Sequence, residues 1–139
     1  VVSRPADADV AIVRVGTPFE KLHPYHFFGA LQHEGRLDFR DGDEAYEAIK
    51  KASAAVPTVV AVDLDRPAIL TNVRRKAKAI IATFGASDTA VLDVISGRGR
   101  AEGRLPFELP SSMREVIAQD PALADDTARP LYPVGAGGS

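Results

Sequence analysis

The sequence predicts an α/β fold, a three-layer α/β sandwich built on a mostly parallel sheet. Three short runs carry that expectation: DVAIVRV from Asp9, TVVAVDL from Thr58 and AIIATF from Ala79. Each is apolar on both faces, as the strands of a parallel sheet covered by helices must be. Segments with helical spacing follow each run. Strand, helix, strand, helix, strand, helix then implies right-handed crossovers and neighbouring parallel strands.

Each element has its own local signal. After the first strand, Asp41-Gly-Asp-Glu predicts a helix start through a D-x-x-E capping pattern, and Ala45, Ile49 and Ala52 make its apolar stripe. Asp65-Arg66-Pro67 predicts a short second helix, with Asp65 as its cap and proline in its first turn. Ser87 caps a third helix, Asp88 lies in its first turn and Gly97 ends it; its stripe is Ala90, Val91, Val94 and Ile95. Gly103 to Leu109 predicts a fourth strand, held to an edge or a bulge by Pro106. SSMREVIAQ reads as a weak helix, and PLYPVGAGGS as a Pro/Gly tail.

Composition narrows the function classes. The chain has 139 residues, 45% hydrophobic and 26% charged, which fits one globular domain over 1–139. A net charge of −2 supplies no basic field for nucleic acid or an anionic membrane. Cysteine is absent, so disulfides and thiolate metal sites are excluded. No apolar run approaches the roughly 20 residues of a membrane span. The chain opens on Val1 and its only methionine is Met113, so Val1 reads as a cut end, and the compartment stays open.

One stretch has no period of its own. VGTPFEKLHPYHFFGALQHEGRLDF, from Val15 to Phe39, holds all three histidines and five of the nine aromatic residues. It leaves the carboxyl end of the first strand, where open α/β sheets bind their ligands. Irregular loops beyond about 12–15 residues are usually functional or disordered. Phe19, Tyr25, Phe27, Phe28 and Phe39 argue against disorder, because such rings need an apolar partner surface. The segment is expected to be a site-forming loop that packs on something else.

Glu20 and Glu34 are the loop's chemical candidates, since a carboxyl among apolar groups can act as a general acid. His23-x-x-His26 and His33 are read as hydrogen-bonding groups of a binding loop rather than as metal ligands, because Pro24 breaks helical presentation and no carboxylate has a matching spacing. FGASDT does not complete a nucleophile elbow: Thr89 replaces the second glycine and no histidine follows Ser87. GRGRAEGRLP follows a helix rather than a strand, so Arg98, Arg100 and Arg104 belong to a solvated turn.

Taken in order, DVAIVRVG, a glutamate-bearing loop, EG with LDF close behind, VPTVVAVDLDRPAIL, AKAIIATFGASDTAVLDVISG, GRLPFELPSS and PLYPVGAG resemble the C-terminal α/β sandwich domain of glycoside hydrolase family 3, the β-glucosidase and β-xylosidase group. The resemblance covers nearly the whole chain. It implies a retaining, exo-acting β-glycosidase whose nucleophile aspartate belongs to an N-terminal (β/α)8 barrel that this chain lacks. The acid/base glutamate then comes from the long loop, at Glu20 in TPFE, with Glu34 in HEGRLDF as the alternate. Phe19 and His33 are the expected substrate contacts. The implied partners are a β-linked glycoside and the barrel, with no cofactor, metal, nucleic acid or membrane. The family's domain usually begins with a further strand and helix, so the N-terminal part of the domain is expected to be missing. Self-association, or mobility of the loop, is expected when the chain is alone. Asp65-Arg66 stands where the family usually has glycine before the proline, and no PGQEGG stretch is present. The rival reading is a non-catalytic α/β module that binds or docks through the same loop.

Overall fold

The computed structural model describes residues 2–138. Its centre is a three-stranded parallel sheet in the order β1-β2-β3, formed by β1 (Ala11–Gly16), β2 (Thr58–Asp63) and β3 (Ala79–Thr83). Ala11 pairs with Thr58 and Gly16 with Asp63, while Val59 pairs with Ala79 and Asp63 with Thr83. The three strands therefore end together, and the loops leaving them meet at one end of the sheet.

Helix α1 (Glu44–Ala55) packs on β1 and β2. It buries Tyr46, Ile49 and Ala52, one side of a 3.6-residue repeat, and Ala45 packs partly buried beside them. On β1, Val13 and Val15 point into this core with Val60, Val62, Leu64 and Phe39. Arg14 projects from the opposite face of the strand, as strand alternation demands. There it meets Asp88, the first residue of α3 (Asp88–Ile95). Ser87 caps α3 by accepting the Ala90 amide at 3.2 Å, and Gly97 follows the helix at φ +76.

Three local expectations are corrected. The cap of α1 is Asp43 rather than Asp41, and its carboxylate makes no cap bond because Arg36 and the Arg40 amide take it. Glu47 instead reaches back to the Gly42 amide at 2.8 Å. No helix opens at Asp65-Arg66-Pro67. The chain runs irregularly to α2 (Thr71–Arg74), because the Asp65 and Arg66 side chains turn to the β1 loop and the Ile69 amide donates to Leu37 O at 3.0 Å. Gly103 to Leu109 adds no strand to the sheet. Leu109 instead forms one antiparallel bridge with Tyr132, and the Leu105 amide donates to Ala136 O at 2.8 Å. Pro106 has no N–H to continue a ladder. GRLPFELP and LYPVGAG, far apart in sequence, thus lie side by side. The weak helix is present as α4 (Met113–Ala118), capped by Ser112 on the Glu115 amide at 3.2 Å.

Candidate functional site

The loop after β1 doubles back on itself. Glu20 and Glu34 form an antiparallel bridge, with the Glu20 amide donating to Glu34 O at 2.9 Å. The two glutamates that the sequence offers as alternates are therefore neighbours across one neck. Thr17 anchors the incoming limb through a buried hydroxyl, whose single proton is within reach of Asp63 O and Arg66 O, both at 3.3 Å. Gly16, Thr17, Phe19, Arg36 and Glu44 line an open cleft beside the neck.

The carboxyl groups differ in what they hold. Glu20 Oε2 accepts the Arg36 amide at 2.9 Å, so this side chain closes the turn at Gly35. Gly35 sits at φ +69, and a Cβ there would lie 2.1 Å from Glu20 Oε2. Any other residue here strains the backbone and displaces Glu20. Glu34 makes its contact with an imidazole, His23 Nδ1 lying 2.9 Å from Oε2, and 23% of its side chain is exposed. His23 in turn stacks on His26, with centroids 4.8 Å apart.

Phe19 and His33 are brought together. Their rings stack at 4.0 Å with planes 11° apart, and His33 Nδ1 bonds the Asp65 carboxylate. Burial pushes the Asp65 carboxyl up, but the His33 ring and the Thr17 hydroxyl outweigh it, and the group lies below its ordinary range. Asp65 is thus an orienting group for His33, not a helix cap.

The remaining rings are placed otherwise. Phe39 is buried in the core, whereas Tyr25 and Phe27 are 99% and 94% exposed and Phe28 is also exposed. Phe27 and Phe28 meet edge to face at 4.6 Å. The loop tip, between the two limbs of the neck, thus leaves three aromatic side chains exposed.

Arginines, singled out by nothing in the local pattern, organise this end of the sheet. The Arg66 guanidinium donates to backbone oxygens on both limbs of the loop: Pro18 at 2.6 Å, His33 at 3.0 Å, Glu34 at 2.9 Å, Gly35 at 3.5 Å and Arg36 at 2.8 Å. Arg36 grips Asp43 and Asp38 O, and so ties the loop to the start of α1. Arg14 bonds Asp63 through two nitrogens, at 2.8 and 3.0 Å, and Asp88 at 2.5 Å. That contact with Arg14 holds the Asp63 carboxyl below the ordinary range. Two signals pointed to Arg66: it lies just beyond the carboxyl end of β2, and Asp65-Arg66 stands where the family usually has glycine before the proline. Among the described residues, no group of three or more His, Cys, Asp or Glu is placed to hold a metal ion. Arg98 pairs with Asp93, and Arg104 donates to the carbonyls of Gly135 and Gly137.

Comparison with known proteins gives this arrangement its family. The chain is 50% identical over 137 residues to a periplasmic beta-glucosidase/beta-xylosidase of Dickeya chrysanthemi, covering 99% of this chain and 21% of the relative. It is 41% identical over 137 residues to a probable beta-glucosidase C of Aspergillus flavus, again covering 99% of this chain and 21% of the relative. The chain thus spans about a fifth of the length of the curated relatives it matches. The fold also matches a crystal structure of beta-glucosidase from Listeria innocua in complex with isofagomine, with a TM-score of 0.64 at 18% identity, covering 94% of this chain and 20% of that one. The model of the glycosyl hydrolase family 3 C-terminal domain matches residues 1–139, and the chain belongs to that family.

Proposed function

We propose that this chain is the C-terminal domain of a retaining, exo-acting β-glycosidase of β-glucosidase type, and that its β1 loop supplies the general acid/base. The observation that carries this reading is the neck itself. Two glutamates stand side by side at the carboxyl end of β1, on a loop whose tip exposes aromatic rings. In the whole enzyme, an aspartate of the barrel attacks the anomeric carbon while a loop glutamate protonates the departing oxygen. The same glutamate then takes a proton from the water that breaks the glycosyl-enzyme. The two carboxyl groups of a retaining pair stand about 5–5.5 Å apart, so the loop must reach over the barrel's mouth. The exposed tip rings, Tyr25, Phe27 and Phe28, are the surface that would meet the barrel. Phe19 and His33 offer a stacked plate against which a sugar ring can lie.

Glu20 is the first choice from the sequence, and the geometry supports Glu34 better. The Glu20 carboxylate is occupied in closing the Gly35 turn. Among the described residues, the Glu34 carboxylate closes no backbone turn; its partner is the His23 ring, with Nδ1 2.9 Å from Oε2. The test is Glu34→Gln and Glu20→Gln in the full-length gene product. The acid/base variant loses about 10²-fold or more on glycosides with poor leaving groups and far less on activated ones, and azide partly restores turnover of the latter. If Glu20→Gln alone shows this signature, the assignment within the pair reverses. If neither variant does, the loop is a docking surface and the non-catalytic reading stands.

A further inference from the structure

We propose that Arg66 is the positioning residue of the acid/base loop, clamping both limbs of its neck through their backbone carbonyls. The inference rests on the reading of the loop given above. Its basis is the chemistry of a single side chain. The four N–H bonds of the two terminal nitrogens are shared among five carbonyl oxygens, one from Pro18 on the incoming limb and four from His33 to Arg36 on the returning limb, Gly35 O being the most distant at 3.5 Å. Glu20 lies two residues beyond the first contact, and Glu34 lies inside the second set. The planar fork of arginine, with its permanent charge, suits such convergence; the three donors of a lysine ammonium, on a flexible stem, cannot span it.

Arg66 is half-buried, and its Nε–H is buried without a hydrogen-bond partner among the described residues. Leaving that donor unmet costs free energy. The fork therefore faces the loop even though the head group's third nitrogen goes unpaired. The adjacent Asp65 grips the same limb through the His33 ring. Both side chains project from the residues just past β2, the strand with the most buried residues, so the neck is referred to the sheet's rigid centre. The tip between residues 21 and 32 lies outside the clamp. Its rings can adapt to a partner surface while the glutamates hold their place.

The test uses Arg66→Ala and Arg66→Lys in the full-length gene product, the lysine variant keeping the charge and much of the stem in case the alanine variant fails to fold. Amide exchange over residues 17–37 is expected to quicken in both, with the β2 amides unchanged. Turnover of a phenyl β-glucoside is expected to fall about 10²-fold, mostly in kcat, and that of a dinitrophenyl β-glucoside only a few-fold. Free guanidinium ion is expected to restore part of the Arg66→Ala loss. Unchanged exchange over 17–37, or equal losses on the two substrates, overturns the positioning role. Where the glutamate variants discriminate between leaving groups and the Arg66 variants do not, the inference alone fails. Where neither set discriminates, the acid/base reading beneath it fails as well.

Discussion

Gly35 lies against Glu20: an added Cβ would stand 2.1 Å from Oε2 and 2.9 Å from the Glu20 Cβ, with the backbone at φ +69. The turn that follows Glu34 thus has room for the Glu20 carboxyl because residue 35 carries no side chain.

Gly35→Ala is expected to destabilise the neck by about 1–2 kcal/mol from the left-handed backbone alone, before Glu20 is displaced. Gly42 makes a matched control, because it has φ +90 and open space around its Cβ. Gly42→Ala should carry only the backbone cost. Thermal unfolding of both variants, with turnover of a phenyl glycoside in the full-length product, checks this. Equal effects of the two substitutions on turnover would show that Glu20's place does not matter.

The Arg36–Asp43 pair predicts a pH dependence. The two side chains are 18% and 22% exposed, and the guanidinium holds the Asp43 carboxyl below its ordinary range. A carboxyl depressed in the folded state stabilises above its unfolded value near pH 4, and loses that contribution as pH falls through the folded value. Asp43→Asn should therefore cost about 1–2 kcal/mol at pH 7, and less at a pH below about 4. Unfolding free energies at the two pH values test this; a cost that does not shrink in acid would assign it to packing instead.

The chain by itself is expected to release no nitrophenol from nitrophenyl β-glucoside or β-xyloside. On the function proposed above, the reaction needs two carboxyl groups flanking the glycosidic bond, and this chain would supply only one of them. Turnover by the isolated chain that follows the protein through successive purification steps, and disappears in Glu34→Gln, would require a complete site within these 139 residues.

Tyr25 and Phe27 predict the behaviour of the isolated chain in solution. With the rings 99% and 94% exposed, the tip should drive self-association or exchange its amides quickly. A concentration-dependent rise in mass by light scattering is expected, reduced by the double change Tyr25→Ser and Phe27→Ser. A wild-type chain that stays monomeric at high concentration with slow exchange over 21–32 would show that the tip packs on its own domain.

Much of the architecture was legible in the sequence. β1, β2 and β3 were legible as apolar runs, although only β2, at the centre, is mostly buried while Ile12 of β1 stays exposed; α1 was legible by its stripe and α3 by its Ser87 cap, with Val91 the one residue of the α3 stripe that is buried. Those features depend on residues within a few positions of one another, where the local pattern and the final environment agree. The resemblance of the ordered motifs to the family was legible for the same reason.

Tertiary structure decided what depended on distant partners. Asp65 has the local look of a helix cap, but His33 lies 32 residues away in sequence and takes its carboxylate. Asp43 caps α1 with no side-chain bond, because Arg36 competes for it. Gly103 to Leu109 reads as a strand and finds the tail at Tyr132 in place of the sheet. Arg66 shows nothing locally and holds five carbonyls of a loop some 30 to 48 residues before it. A charged side chain satisfies its hydrogen bonds wherever the fold brings acceptors within reach, and no spacing along the chain records that meeting. The sequence by itself determined the sheet, its two longer helices and the loop that carries the glutamates; the fold alone decided that Glu20 and Glu34 pair across one neck, and which arginine bonds both of its limbs.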